Sequence, residues 1–153
     1  MTTRAIAYLR NINTLFEVIK YDHREKGAEF AARATAFPLE QTVKTLVVDI
    51  ENKNHCLALV PGNRQLDLKK LARVFSVKRA AMADVALAER LTGYHVGGIS
   101  PFGTRRKLPA VMDELILKYQ EIMINAGQRG TMLKMAPQDI IRALDCEVAA
   151  VSR

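Results

Sequence analysis

The sequence predicts one α+β domain, in which a mixed, largely antiparallel sheet has helices packed around it. Short apolar runs of strand length are interspersed with helically periodic segments, without the regular alternation of a βαβ protein. Two of those runs, residues 44–50 and 55–60, are separated only by Glu51, Asn52, Lys53 and Asn54. That spacing reads as a hairpin and therefore as an antiparallel pair. With 153 residues and 49% hydrophobic side chains, the chain has material for one proper core.

Residues 4–15 carry Ile6, Leu9 and Ile12 at helical spacing, so one face of a first helix is buried. Residues 16–21 alternate loosely and predict a strand. A second helix over 28–35 has to end before Pro38, which disfavours helical backbone in the residue ahead of it. Asp67 is placed to cap a helix over 68–75, and Asp84 one over 85–91, which Gly93 stops. Strands are predicted at 110–113, 121–125 and 131–135, with a turn over 125–130. Pro137, at a first helical turn, opens a last helix over 138–144. No repeat, low-complexity tract or linker divides the chain.

The formal charge is +7, and its placement says more than its size. Residues 61–110 hold ten Lys and Arg against three Asp and Glu, so the whole excess sits in the central third. A solvated basic face would account for this. Clustered cations also hold phosphate backbones, which makes an anionic polymer the expected partner. No run approaches the roughly 18–20 apolar residues that span a bilayer, so no membrane is expected. Residues 1–10 lack the apolar centre of a signal peptide, and Cys56 and Cys146 suit a reducing compartment, so the expected location is the cytoplasm.

Familiar reactive groups are poorly represented. His23, His55 and His95 stand apart, without a cysteine or carboxylate at ligand spacing, and no metal is expected. Cys56 lies inside an apolar strand, where a thiol is inert. Cys146 has Asp145 and Glu147 beside it, which disfavour a thiolate. Ser100 lies in no nucleophile elbow. Neither a P-loop nor a dinucleotide fingerprint is present, so no cofactor is expected. The six methionines read as core filler.

What stands out is a loop containing Gly93, Gly97, Gly98, Pro101 and Gly103, followed by Arg105, Arg106 and Lys107. Glycines let backbone N–H groups approach a ligand closely, which would make a cradle for an anion or a polarised carbonyl. Tight turns use glycine as well, and composition leaves both readings open. Lys44, after Thr42 and Val43, is either a solvated strand-end lysine or a fixed cation in a cleft, suited to a phosphate or a developing oxyanion.

These segments together resemble the YbaK/EbsC family, free-standing relatives of the editing domain inserted in bacterial prolyl-tRNA synthetases. The resemblance runs over about 9–151 and is densest at 43–47, 65–70, 82–84 and 92–103. It implies the mixed sheet fold of those editing domains and hydrolysis of the ester of mischarged tRNA. The family's lysine falls on Lys44, and its Gly-x-x-x-Pro loop on Gly97, Gly98, Ile99, Ser100 and Pro101. Its pocket tyrosine falls on Tyr21, with Asn125, Gly127 and Met132 as further substrate contacts.

The nearest group is similar to deacylases that clear Cys-tRNA(Pro), in which the substrate's own thiol attacks the ester. Lys44 would hold the terminal adenosine while loop N–H groups stabilise the oxyanion. Lys69, Lys70, Arg105, Arg106 and Lys107 would meet the tRNA backbone, and prolyl-tRNA synthetase is an implied partner. The sequence departs from the family at its second turn, usually Ser-Gly-Gly-Lys-Arg-Gly, which here reads Asn125-Ala126-Gly127-Gln128-Arg129-Gly130. Met132 stands where some relatives carry an acid. A non-catalytic nucleic-acid-binding module that keeps the fold is the rival reading.

Overall fold

The computed structural model describes residues 1–153 except Met1, His23, Glu25, Lys26 and Asn52. His23 and the Asn52 position of the predicted hairpin turn therefore lie outside the described residues. The order is α1 (Arg4–Asn11), β1 (Glu17–Lys20), α2 (Ala28–Thr35), β2 (Val43–Ile50), β3 (Asn54–Pro61), α3 (Leu68–Val74) and β4 (Ala80–Met82). There follow α4 (Val85–Thr92), β5 (Ala110–Asp113), β6 (Ile122–Gln128), β7 (Thr131–Met135), α5 (Pro137–Leu144) and β8 (Glu147–Ala149). Short 3-10 turns occupy Leu39–Gln41 and Glu114–Lys118.

Two sheets form. One is ordered β4-β2-β3-β5-β8 and the other β1-β7-β6. The predicted hairpin is real: β2 and β3 pair antiparallel from Val43 opposite Pro61 to Ile50 opposite Asn54. β3 to β5 and β5 to β8 are parallel, and the remaining pairs are antiparallel, as a mixed sheet requires.

β3 is central, and it is buried on both faces from Cys56 to Pro61, which explains its unbroken apolar run. The two-residue period sorts its side chains between two cores. Leu57 and Leu59 join Val43 and Val47 in a layer facing Ile122, Ile124 and Leu133 of the smaller sheet. Cys56, Ala58 and Val60 join Val48, Ile50 and Leu71 on the opposite face, under α3.

Both predicted aspartate caps are present. Asp67 Oδ1 accepts from Lys69 N and Lys70 N at 3.1 Å, and Asp84 Oδ1 accepts from Leu87 N at 2.8 Å. The first helix stops at Asn11 rather than reaching residue 15, because Asn13 turns into the left-handed region at φ 57° and Leu15 points into solvent. The predicted 125–130 turn is shorter than expected. β6 continues to Gln128 through a register shift between Asn125 and Gln128, which leaves Arg129 and Gly130 as the turn. Two three-residue strands, β4 and β8, were not foreseen.

Candidate active site

β4 pairs with β2 only along Val48, Asp49 and Ile50, and Ala83 N extends that ladder by donating to the Val47 carbonyl at 3.1 Å. Ahead of this point no ladder of the described residues continues along that edge of β2, and Thr42, just before the strand, bridges Met123 of β6. The gap is a cleft of about 340 Å³. β2 forms one wall from Val43 to Val47, Tyr21 and α2 a second, and Met82, Ala83 and Val85 the rim. Asn125 and Met132 lie at its base, and Gly97 and Ile99 close the remaining side.

Lys44 is therefore in a cleft rather than free in solvent. Its Nζ donates to the Arg64 carbonyl at 2.5 Å. Burial lowers its pKa from the ordinary lysine value, while the Glu29 carboxylate pulls it partly back up. Arg64 Nε in turn donates to Ser152 Oγ at 2.7 Å, and Lys70 Nζ donates to the Ser152 carbonyl at 3.1 Å. Lys44 and Lys70 thus share one hydrogen-bonded support, although Lys70 is outside the cleft.

The Gly-x-x-x-Pro loop divides its labour in a way the motif does not reveal. Gly97 and Ile99 line the cleft, and no acceptor for their N–H groups occurs among the described residues. Gly98 N is already used, donating to the His95 carbonyl at 2.8 Å. Its Cα packs against the β6–β7 turn, where a Cβ would stand 2.9 Å from Arg129 N. Ser100 is wholly buried, and its Oγ accepts from Phe102 N at 3.3 Å. Pro101, which has no N–H, faces a separate groove. Of the five loop residues expected to serve the site, Gly97 and Ile99 line this cleft, and Gly98, Ser100 and Pro101 do not.

Asn125 ties this loop to the sheet. Its Nδ2 donates to the Gly97 carbonyl at 3.3 Å, while its Oδ1 accepts from Gly127 N at 2.7 Å and Gln128 N at 3.1 Å. Gly127, expected as a substrate contact, does not line the cleft. It packs on Tyr94, where a Cβ would meet the ring at 2.6 Å. Met132 is buried between Ala31 and Met123, so it is core and cleft base at once. Tyr21 packs with Phe30, ring centroids 6.3 Å apart. Met82 departs from the core role expected of the methionines, being 47% exposed at the rim.

No Ser, Cys or His side chain lines the cleft among the described residues. Burial pushes the Cys56 thiol up to about 12 and the Cys146 thiol up to about 11. His55 pairs with Asp49 at 3.1 Å and His95 with Glu89 at 3.5 Å, both outside the cleft. The cleft's assets are a fixed cation, two backbone donors, and the amide and phenol groups of Asn125 and Tyr21. Such a site can orient and polarise an activated carbonyl without a protein nucleophile.

Residues 24–143 match the family described as the aminoacyl-tRNA editing domain. The chain belongs to that family. The Enterococcus faecalis protein EbsC, named as a Cys-tRNA(Pro)/Cys-tRNA(Cys) deacylase, is 33% identical over 82% of this chain and 77% of its own length. ProXp-y of Escherichia coli strain K12, named as a multifunctional Ser/Thr-tRNA deacylase, is 30% identical over 98% of this chain and 92% of its own. Among solved structures, a protein described as a trans-editing enzyme for prolyl tRNA synthetase superposes with a TM-score of 0.88 at 27% identity, covering 98% of this chain and 95% of that one. The editing-domain fold expected from the sequence is the fold observed.

Proposed function

We propose that this editing domain is a trans-acting aminoacyl-tRNA deacylase, with Cys-tRNA(Pro) as its substrate and other small non-cognate aminoacyl-tRNAs as the nearest substitutes. The observation that carries the reading is the convergence of Lys44 with Gly97 and Ile99, whose N–H groups find no acceptor among the described residues, on one small cleft. An aminoacyl ester is intrinsically labile, so orientation and oxyanion stabilisation are enough to accelerate its loss. Lys44 keeps ammonium protons beyond the one given to Arg64, and these hold the oxygens of the terminal adenosine.

With a cysteinyl ester, the substrate's sulfur attacks its own carbonyl carbon, the bond to the ribose oxygen breaks, the thiol's proton passes to that oxygen, and water then opens the resulting thiolactone to free cysteine. With other esters, water supplies the oxygen. The floor at Met132 and the wall at Tyr21 limit which side chains enter, the second step of a double sieve. Lys69, Lys70, Arg105, Arg106 and Lys107 meet the tRNA backbone, and prolyl-tRNA synthetase supplies tRNA selection. The names of EbsC and ProXp-y support deacylation as the reaction, and they differ in the amino acid removed.

The test is release of amino acid from Cys-, Ala- and Ser-charged tRNA(Pro), with S-methyl-cysteinyl-tRNA(Pro) as a control for thiol attack. The proposal expects fastest release of cysteine and a marked loss when its sulfur is methylated. Binding without release in every arm would favour a non-catalytic module instead.

A further inference from the structure

On the other side of the 97–103 loop lies a broader groove of about 860 Å³, between α1, the loop and the end of α5. Its lining contains the cations Arg4, Arg10 and Lys107 and no carboxylate. None of the three has an ion-pair partner among the described residues, and Arg10 Nη1 donates only to the neutral Thr2 Oγ1 at 3.4 Å. The Arg4 guanidinium lies over Gly93, in the space a Cβ there would need. Arg105 N and Arg106 N donate to the carbonyls of Thr92 and Leu91 at 2.9 and 3.0 Å, which hold the basic run against the C-terminal end of α4. Like charges gathered this way repel one another until an anion comes between them.

We propose that this groove seats the phosphate backbone of the RNA whose 3′ end enters the cleft. The inference rests on the deacylase reading and adds to it a docking surface built partly from α1. That helix lies before residues 24–143, so the family match does not account for Arg4 or Arg10. Continuity supports the assignment: Gly97 and Ile99 line the cleft, while Pro101 and Gly103 of the same loop line the groove. Six residue steps separate the ends, a span of at most about 21 Å. Charge supports it too, since planar guanidinium forks match phosphate oxygens.

The test compares wild type with Arg4→Glu/Arg10→Glu and with Arg10→Glu alone, the second because Arg10 is exposed and its change leaves the core intact. Two readings are taken: affinity for uncharged tRNA across a salt series, and the ratio of kcat/KM on charged tRNA to that on an aminoacyl-CCA trinucleotide. The proposal expects the double variant to bind tRNA about tenfold more weakly near 0.1 M salt, with a salt slope shallower by about one per cation removed. The efficiency ratio falls by about the same factor, and Arg10→Lys restores most of what Arg10→Glu loses.

Affinity and slope within twofold of wild type, or an equal loss on the trinucleotide, overturns the proposal. Wild-type tRNA binding with lost binding to prolyl-tRNA synthetase makes the groove a protein-docking surface and also overturns it. If wild type hydrolyses neither substrate, the deacylase reading fails, and the tRNA-binding arm still decides the groove.

Discussion

Asn125 holds Gly97 across the cleft: its Nδ2 donates to the Gly97 carbonyl at 3.3 Å while its Oδ1 accepts from the Gly127 and Gln128 N–H groups. One side chain thus fixes both the strand irregularity in β6 and the direction in which the loop offers its backbone. Removing it by Asn125→Ala leaves two backbone donors without their acceptor. The expected cost is about 1–3 kcal/mol of stability and roughly a tenfold fall in kcat, measured by chemical denaturation and single-turnover deacylation. Asn125→Ser keeps an acceptor and recovers part of both.

Lys44 should show opposite effects on activity and stability. Lys44→Met removes the cation that orients the terminal adenosine, and kcat/KM is expected to fall by about 10²-fold, the scale of misplacing the reacting group by about 1 Å. Burial holds the Lys44 pKa below its unfolded value, so between the folded and unfolded pKa values the unfolded chain binds more protons and stability rises with pH. The charged form therefore opposes folding at neutral pH, and Lys44→Met is expected to melt at or above the wild-type temperature. Enzyme-dependent hydrolysis, corrected for the spontaneous rate, declines as pH rises through that lowered pKa, which lies below 10.5.

Gly98→Ala tests the claim that Gly98 shapes the loop without touching substrate. A Cβ there meets backbone, Arg129 N at 2.9 Å and the Gln128 Cα at 3.1 Å, so the β6–β7 turn has to move. The expected loss is about 1–3 kcal/mol in stability, together with a lower kcat as Gly97 shifts from register.

Thiol reagents are expected to leave the enzyme active. Both cysteines are buried, with pKa values raised to about 12 and about 11, so neither is a thiolate near neutrality. Iodoacetamide at neutral pH should leave deacylation unchanged, and Ser100→Ala should keep activity within a few-fold, since Ser100 Oγ faces Phe102 rather than substrate.

Much of this architecture was legible in the sequence, for local reasons. The β2–β3 hairpin is two apolar runs separated by polar residues, and Asp67 and Asp84 cap helices through contacts within three residues. The β4 and β8 strands are three residues each and take their form from neighbours far along the chain, Val48 to Ile50 and Val111 to Asp113 respectively. Lys44 could be singled out by its place at the head of an apolar strand. That Gly97 lines the cleft while Gly98 faces Arg129, or that Gly127 makes room for Tyr94, depends on tertiary packing and left no mark on the spacing. The part played by α1 in the cationic groove was equally hidden, because Arg4 and Arg10 meet Lys107 only after the helix docks. Thr3 Oγ1, donating to the Ala126 carbonyl at 2.5 Å, secures that docking.

Met132 sets the depth of the cleft. Met132→Ala removes a buried side chain and is expected to cost about 2–5 kcal/mol. In return the floor recedes, and kcat/KM for larger acyl groups rises relative to cysteine by about 10-fold or more per added methylene accommodated. A panel of tRNA(Pro) carrying alanine, cysteine, valine and leucine reads this directly.

The most direct measurement is a crystal structure with an amide-linked, non-hydrolysable cysteinyl-adenosine. The account predicts the acyl group in the cleft above Met132, its carbonyl oxygen about 2.7–3.1 Å from the N–H of Gly97 or Ile99, and Lys44 on the adenosine oxygens. An acyl group bound elsewhere, or one in the cleft with its carbonyl turned from both N–H groups and from Lys44, would contradict it.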